Sequence, residues 1–198
     1  MTNTVDVIVF LMRKEELLMK KLNVKIVVFA GVLIAMNIIL TRVLAINLGP
    51  TLRITLSSTP IYLASLWFGP VVGGVCGGAG DMLGCFISGY APNPLILVTS
   101  VLAGVIPAVM KKYVFAGKMN PWKIAVAIVL HGLIGSMGFT SLGLHLYYGQ
   151  PWEVLIPSRA IQTVCLVIAN TILVSVLYKS YLTSFIVQNI QGKGRKRF

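Results

Sequence analysis

The chain has 198 residues, 57% of them hydrophobic and only 11% charged, with a mean hydropathy of +0.87. Soluble domains carry about a quarter charged residues, so this composition excludes a soluble enzyme, a disordered tail and a nucleic-acid module, despite 17 Lys+Arg against 5 Asp+Glu and a net charge of +12. Three cysteines, an odd number set inside apolar runs, make no disulfide framework, and the chain reads as an integral membrane protein.

In chain order, residues 1–24 read as a cytoplasmic N-terminal extension. Its apolar patch, Val5–Met12, runs into Arg-Lys-Glu-Glu without a small-residue cleavage site, which argues against a secretory signal; Met1 and Met19 are both candidate starts. Residues 25–182 form the membrane domain. A spanning helix needs about 20 mostly apolar residues, and two long uncharged runs are divided by Phe68-Gly69-Pro70 and Tyr90-Ala91-Pro92-Asn93-Pro94, since Gly and Pro punctuate elements. Six spans are predicted, at about 26–45, 56–68, 71–89, 94–111, 122–141 and 157–180, the second of them short. Residues 183–198 read as a basic tail.

Basic residues cluster before span one (Arg13, Lys14, Lys20, Lys21, Lys25), between spans four and five (Lys111, Lys112, Lys118, Lys123) and after span six (Lys179, Lys193, Arg195, Lys196, Arg197). With six crossings all three clusters share one side, which the positive-inside rule makes cytoplasmic. The expectation is an all-α integral membrane protein of six transmembrane helices with both termini in the cytoplasm.

Three arginines escape those clusters and fall at outer ends. Arg42 closes span one, Arg53 precedes span two, and Arg159 is expected in the first turn of span six, after Pro157. For Arg42, snorkelling to headgroups and a functional role stand side by side. Arg53 and Arg159 are expected to clamp an anionic solute arriving from outside, because a guanidinium offers a planar fork to a carboxylate. Asp81 is the one acid deep within a span. An intramembrane carboxylate is a functional-site hypothesis by default; the alternatives are a structural ion pair with an outer arginine and an acceptor for two parallel N–H bonds of an amino-pyrimidinone edge.

Gly73, Gly74, Gly77, Gly78, Gly80 and Gly84 surround Asp81, and their small-xxx-small spacing reads first as close helix packing. His131 reads as a satisfied interior residue, with no partner set at metal-ligand spacing. Gln162, three residues after Arg159, is expected on the same face. Asn93 is either a turn residue or a ligand contact. Tyr62 and Tyr90 are candidates to stack on an aromatic ligand, and Trp67 for an interfacial belt. No GxxxxGK[ST] loop, nucleophile elbow or HExxH helix occurs, so no catalytic residue, metal, cofactor or nucleic-acid partner is expected, and any ATPase must be a separate chain.

Arg53-Ile-Thr-Leu, Pro60-Ile-Tyr-Leu-Ala, Phe68-Gly-Pro, Gly80-Asp-Met-Leu-Gly84 and Ser88-Gly-Tyr-Ala-Pro-Asn-Pro94 resemble the substrate-binding S components of energy-coupling factor (ECF) transporters, most closely their folate-specific branch. The resemblance runs from about Lys25 to Tyr181 and is strongest between Arg53 and Pro94. It implies a six-helix bundle in a prokaryotic plasma membrane that captures a vitamin from outside. It also implies a transmembrane coupling (T) protein and two cytosolic ATPases as partners, beside membrane lipid. By the same resemblance, Gly31 and Ala35 stand where an Ala-xxx-Ala pair docks on the coupling protein, and the whole S component topples to deliver its vitamin. Lids would fall at about 46–55, 90–93 and 142–156. Folate matches the residues, its pterin edge facing Asp81 and its two tail carboxylates facing Arg53 and Arg159. The alternatives are another vitamin such as riboflavin, or a small intramembrane enzyme acting on a lipid phosphate.

Overall fold

The structure, a computed structural model, describes residues 24–42, 46–47, 53–89, 91–116 and 119–191. Residues 1–23 of the N-terminal extension, residues 48–52 of the first lid, Tyr90 and the basic residues beyond 191 lie outside the described residues. Among the described residues, eight α-helices and one short ribbon follow in order: α1 (Val24–Arg42), β1 (Ile46–Asn47), β2 (Arg53–Ile54), α2 (Ser58–Phe68), α3 (Pro70–Ile87), α4 (Pro94–Val109), α5 (Pro121–His131), α6 (Ser141–Tyr148), α7 (Trp152–Lys179) and α8 (Tyr181–Gln191). The strands pair antiparallel, Ile46 opposite Ile54 and Asn47 opposite Arg53.

Among the described residues, five rods are long and apolar enough to cross a bilayer: α1, α3, α4 with the wide π turn at Met110–Val114 that ends it, the rod of α5 and α6, and α7. α2 has 11 residues, about 16 Å at 1.5 Å per residue, roughly half a hydrocarbon core. It is also the most enclosed element, with Thr59 through Leu66 all buried, as expected of a helix apolar all round. Thr59 donates to Asn170 Oδ1 at 2.7 Å, and Trp67 Nε1 donates to Thr183 Oγ1 at 3.1 Å. The first bond seats α2 against the half of α7 nearest Lys179 and the second ties its end to the helix Tyr181–Gln191.

α3 and α4 meet most closely. A Cβ at Gly73 would collide with the Gly104 carbonyl, one at Gly104 with the Gly73 backbone, and one at Gly77 with the Ser100 carbonyl. The packing reading of these glycines therefore accounts for one face of α3. Its other face looks to α1, where Gly80 adjoins Asn37 and Gly84 adjoins Arg42. Pro107 sits inside α4, and Ser65 Oγ of α2 accepts from the next amide, Ala108, at 2.9 Å.

The expected boundaries shift at the fifth and sixth spans. α5 passes through a nine-residue π-helical stretch, Gly132–Thr140, into α6 without a break, so the rod runs over 28 residues to Tyr148. α7 then starts at Trp152, and Pro157 lies within it. The lid expected at 142–156 thus shrinks to the turn at 149–151. That turn is set by Gly149, whose φ of 64° is left-handed and favours glycine. His145 Nδ1 bonds the Gln150 carbonyl at 2.8 Å, and its ring lies 4.7 Å from that of Trp152. Residues 181–191, partly assigned to the basic tail, form α8, which packs on the ends of α1, α2 and α7.

Candidate functional site

Among the described residues, two cavities with polar walls lie side by side in the bundle. The first, about 110 Å³, is enclosed by α2, α4, the π-helical stretch and α7, with Tyr62, Thr99, His131, Ser136, Thr163 and Asn170 in its wall. The second, about 100 Å³, lies between α1, α2, α3 and α4, with Asn37, Arg42, Ser57, Asp81 and Ser100 in its wall. Ser58, Thr99 and His131 belong to both.

His131 is the partition. Its Nε2 lies 3.2 Å from the Thr99 carbonyl, which can only accept, so Nε2 carries the proton. Nδ1 is then the acceptor and takes the Tyr62 hydroxyl at 2.8 Å. The expected satisfied interior histidine is what the structure contains. A Cβ at Gly135 would come within 2.9 Å of His131 Nε2, so a glycine there makes room for the imidazole. Thr99 Oγ1 donates to the Gly135 carbonyl at 3.1 Å and accepts from Thr140 at 3.0 Å. Thr163 donates to Ser136 Oγ at 3.2 Å. Long π-helical runs are rare and recur at functional sites; here the wide turns aim Ser136 and Thr140 into the first cavity.

Asp81 faces the second cavity, with its Oδ2 buried and without a hydrogen-bond partner among the described residues. Its electrostatic partner is Arg42 of α1, which also hydrogen-bonds Cys85. Arg42 therefore turns inward across Gly84, where a Cβ would come within 3.1 Å of its guanidinium. Asn37, one helical turn before Thr41, is 5% exposed and donates to the Ser57 carbonyl at 2.7 Å, fixing the start of α2 against α1.

The remaining candidates are dispersed. Arg159 is the eighth residue of α7 rather than in its first turn, because the helix begins before Pro157. Its Nε is buried with no hydrogen-bond partner among the described residues. Arg53 contributes its backbone to β2, which packs on α7; its side chain, like Tyr90, lies outside the described residues. Gln162 is buried on α7, and neither it nor Arg159 lines either cavity. Asn93 caps α4, accepting from Leu95 N at 3.0 Å while donating to the Gly143 carbonyl at 3.1 Å, so both ends of its amide serve the scaffold. Tyr62 is edge-on to His131, at 5.6 Å and 75°. Gly31 and Ala35 are exposed on α1, and a Cβ at Gly31 would meet nothing within 4 Å. Among the described residues no group of three or more His, Cys, Asp or Glu could hold a metal.

A bundle of apolar helices around cavities with polar walls, with a buried carboxylate oxygen at one of them that has no hydrogen-bond partner among the described residues, defines a membrane protein that binds a small polar solute. The sequence family described as ECF-type riboflavin transporter, S component, matches residues 21–183; the chain belongs to this family, whose members are transporter components and not enzymes. It is 26% identical over 149 residues to the folate transporter FolT of Clostridium novyi (strain NT), covering 73% of this chain and 81% of that one. The crystal structure of FolT bound with folic acid superposes with a TM-score of 0.66 at 25% identity, over 82% of this chain and 95% of that one. ThiT from Listeria monocytogenes has the same fold, with a TM-score of 0.60 at 18% identity, over 82% of this chain and 96% of that one. The bundle is thus an S-component fold, and the lipid-phosphate enzyme reading falls with the family assignment.

Proposed function

We propose that this chain is the folate-capturing S component of an ECF-type importer in a prokaryotic plasma membrane. The observation that carries the reading is the likeness to FolT bound with folic acid across 95% of that chain. In this proposal α2 counts as the sixth membrane helix beside the five long rods, and both termini are cytoplasmic. The pterin edge donates two N–H bonds to Asp81, whose charge Arg42 balances. The tail carboxylates meet Arg53 and Arg159, where the packing of β2 on α7 supports their approach. Tyr62 and Tyr90 line the path of the aromatic portion, Gln162 supports Arg159 one turn away, and Asn93 holds the rim by tying α4 to α6.

Each cavity alone is smaller than the roughly 300 Å³ at which small-molecule sites begin. Folate entry therefore requires the shared wall of Ser58, Thr99 and His131 to give. The exposed Gly31 and Ala35 are the proposed contact with the coupling protein, on which the S component topples, driven by two separate ATPases.

Riboflavin is the second reading, favoured by the description of the matched family; it has no carboxylates for Arg53 and Arg159. The test is to purify the protein in detergent, identify any released small molecule by mass, and titrate the emptied protein with both vitamins. Tight folate binding with no riboflavin binding is expected. The reverse selectivity transfers the assignment to riboflavin, and binding of neither overturns both.

A further inference from the structure

We infer that the first cavity is a neutral subsite for a hydrogen-bond acceptor on the vitamin's heteroaromatic head, with the Ser136 hydroxyl as its donor. The two cavities differ in charge. The second has Arg42 and Asp81 in its wall, whereas no Asp, Glu, Lys or Arg lines the first. What the first cavity offers a ligand therefore depends on which of its polar hydrogens are already committed.

Most of them are. Tyr62 gives its only proton to His131 Nδ1, so Ser58, which hydrogen-bonds the Tyr62 hydroxyl, is the donor in that pair. His131 Nε2 donates to the Thr99 carbonyl. Thr140 donates to Thr99 Oγ1, and Thr99 donates onward to the Gly135 carbonyl. Thr163 donates to Ser136 Oγ at 3.2 Å. There the chain of donors ends, since among the described residues the Ser136 proton meets no acceptor. Asn170 is half committed: one amide hydrogen goes to the Leu166 carbonyl at 2.8 Å, and its oxygen accepts from Thr59. An interior tolerates a spare lone pair more readily than a spare proton, so this wall is complementary to an acceptor. Ser136 is also held in place. The carbonyl before it takes the Thr99 hydroxyl, and its own carbonyl takes that of Ser141 at 3.3 Å. A donor positioned by a supporting shell of bonds is what selective recognition requires.

The inference rests on the folate reading. In that reading Asp81 takes the N–H edge of the pterin in the second cavity. Neither cavity alone holds the head, so its other ring extends across the shared wall of Ser58, Thr99 and His131 into the first. That ring carries two nitrogens whose lone pairs are free in folic acid, and these are the acceptors for Ser136.

The test compares folic acid with its quinazoline analogue, which keeps the N–H edge and the tail but has CH in place of both nitrogens of that ring. Each is titrated into the emptied full-length protein in detergent. Wild type is expected to bind folic acid at least about fivefold more tightly, the smaller cost of a buried donor left without its partner. Ser136→Ala should bind the two ligands equally. Thr163→Val also loses the bond between Thr163 and Ser136 but keeps the Ser136 proton, so it should retain the preference. A wild type that binds both ligands equally, a preference kept in Ser136→Ala, or one lost in both variants overturns the subsite and leaves the folate reading standing. A wild type that binds neither ligand overturns the folate reading and the subsite with it. Where a variant does not fold, the wild-type comparison decides alone.

Discussion

Arg42 and Asp81 are the most consequential pair at the level of single residues, because their opposite charges act on each other at membrane depth. Removing one member of a buried pair leaves an uncompensated charge, and that costs more than removing both. Arg42→Met should therefore lower thermal stability by more than about 1 kcal/mol, and adding Asp81→Asn should recover part of the loss, a non-additivity readable in a double-mutant cycle. Asp81→Ala should weaken folate binding by about 10- to 100-fold, the range for hydrogen bonds to a charged group, while membrane insertion is kept; unchanged affinity in a titration would remove Asp81 from the site. Tyr62→Phe leaves His131 Nδ1 without its donor and should cost about 1–3 kcal/mol, measured by thermal unfolding in detergent. The sequence marks Asp81 by its depth alone. It does not reveal which arginine meets it, since Arg42, Arg53 and Arg159 all sit at outer ends and only the crossing of α1 over Gly84 selects Arg42.

Among the elements, the short helix α2 organises the interior. Because it fills only half the depth, its start at Ser57 and Ser58 lies inside the bundle, and both cavities open beside it. The short second span was evident from the Phe68-Gly69-Pro70 break. The unbroken rod from Pro121 to Tyr148 was not: the fifth span was expected to end near 141, whereas the π-helical stretch, with Gly132 packed on Thr163 and Gly135 on His131, carries the helix on into α6. Gly77→Leu should separate α3 from α4, since its side chain would occupy the place of the Ser100 carbonyl; loss of the folded monomer in size-exclusion chromatography is expected. Gly31→Leu meets open space, so it should leave folding and vitamin binding intact yet block uptake by cells carrying the whole importer. Equal loss of binding and uptake would make Gly31 a packing residue.

For the whole molecule, a ligand that binds only the folded state stabilises it by mass action, by about 2.7 kcal/mol at a hundredfold excess over Kd. Folate should accordingly raise the melting temperature of the detergent-solubilised protein and riboflavin should leave it unchanged, the pattern measured most simply by a thermal-shift assay. Membrane character and the division of the chain into apolar segments were present in the sequence, because bilayer thickness acts on each segment independently of its neighbours. So was the S-component class, through short motifs carried on contiguous residues. What only the tertiary structure decided was which groups face one another: Arg42 with Asp81, Tyr62 with His131, Thr59 with Asn170, and Asn93 with the backbone of Gly143. These contacts join positions far apart in the chain, and nothing in the local pattern of any one helix specifies its rotation against the next. That rotation is set by the close approach of glycine faces and by hydrogen bonds that a low-dielectric interior requires to be complete, and both exist only once the bundle has formed.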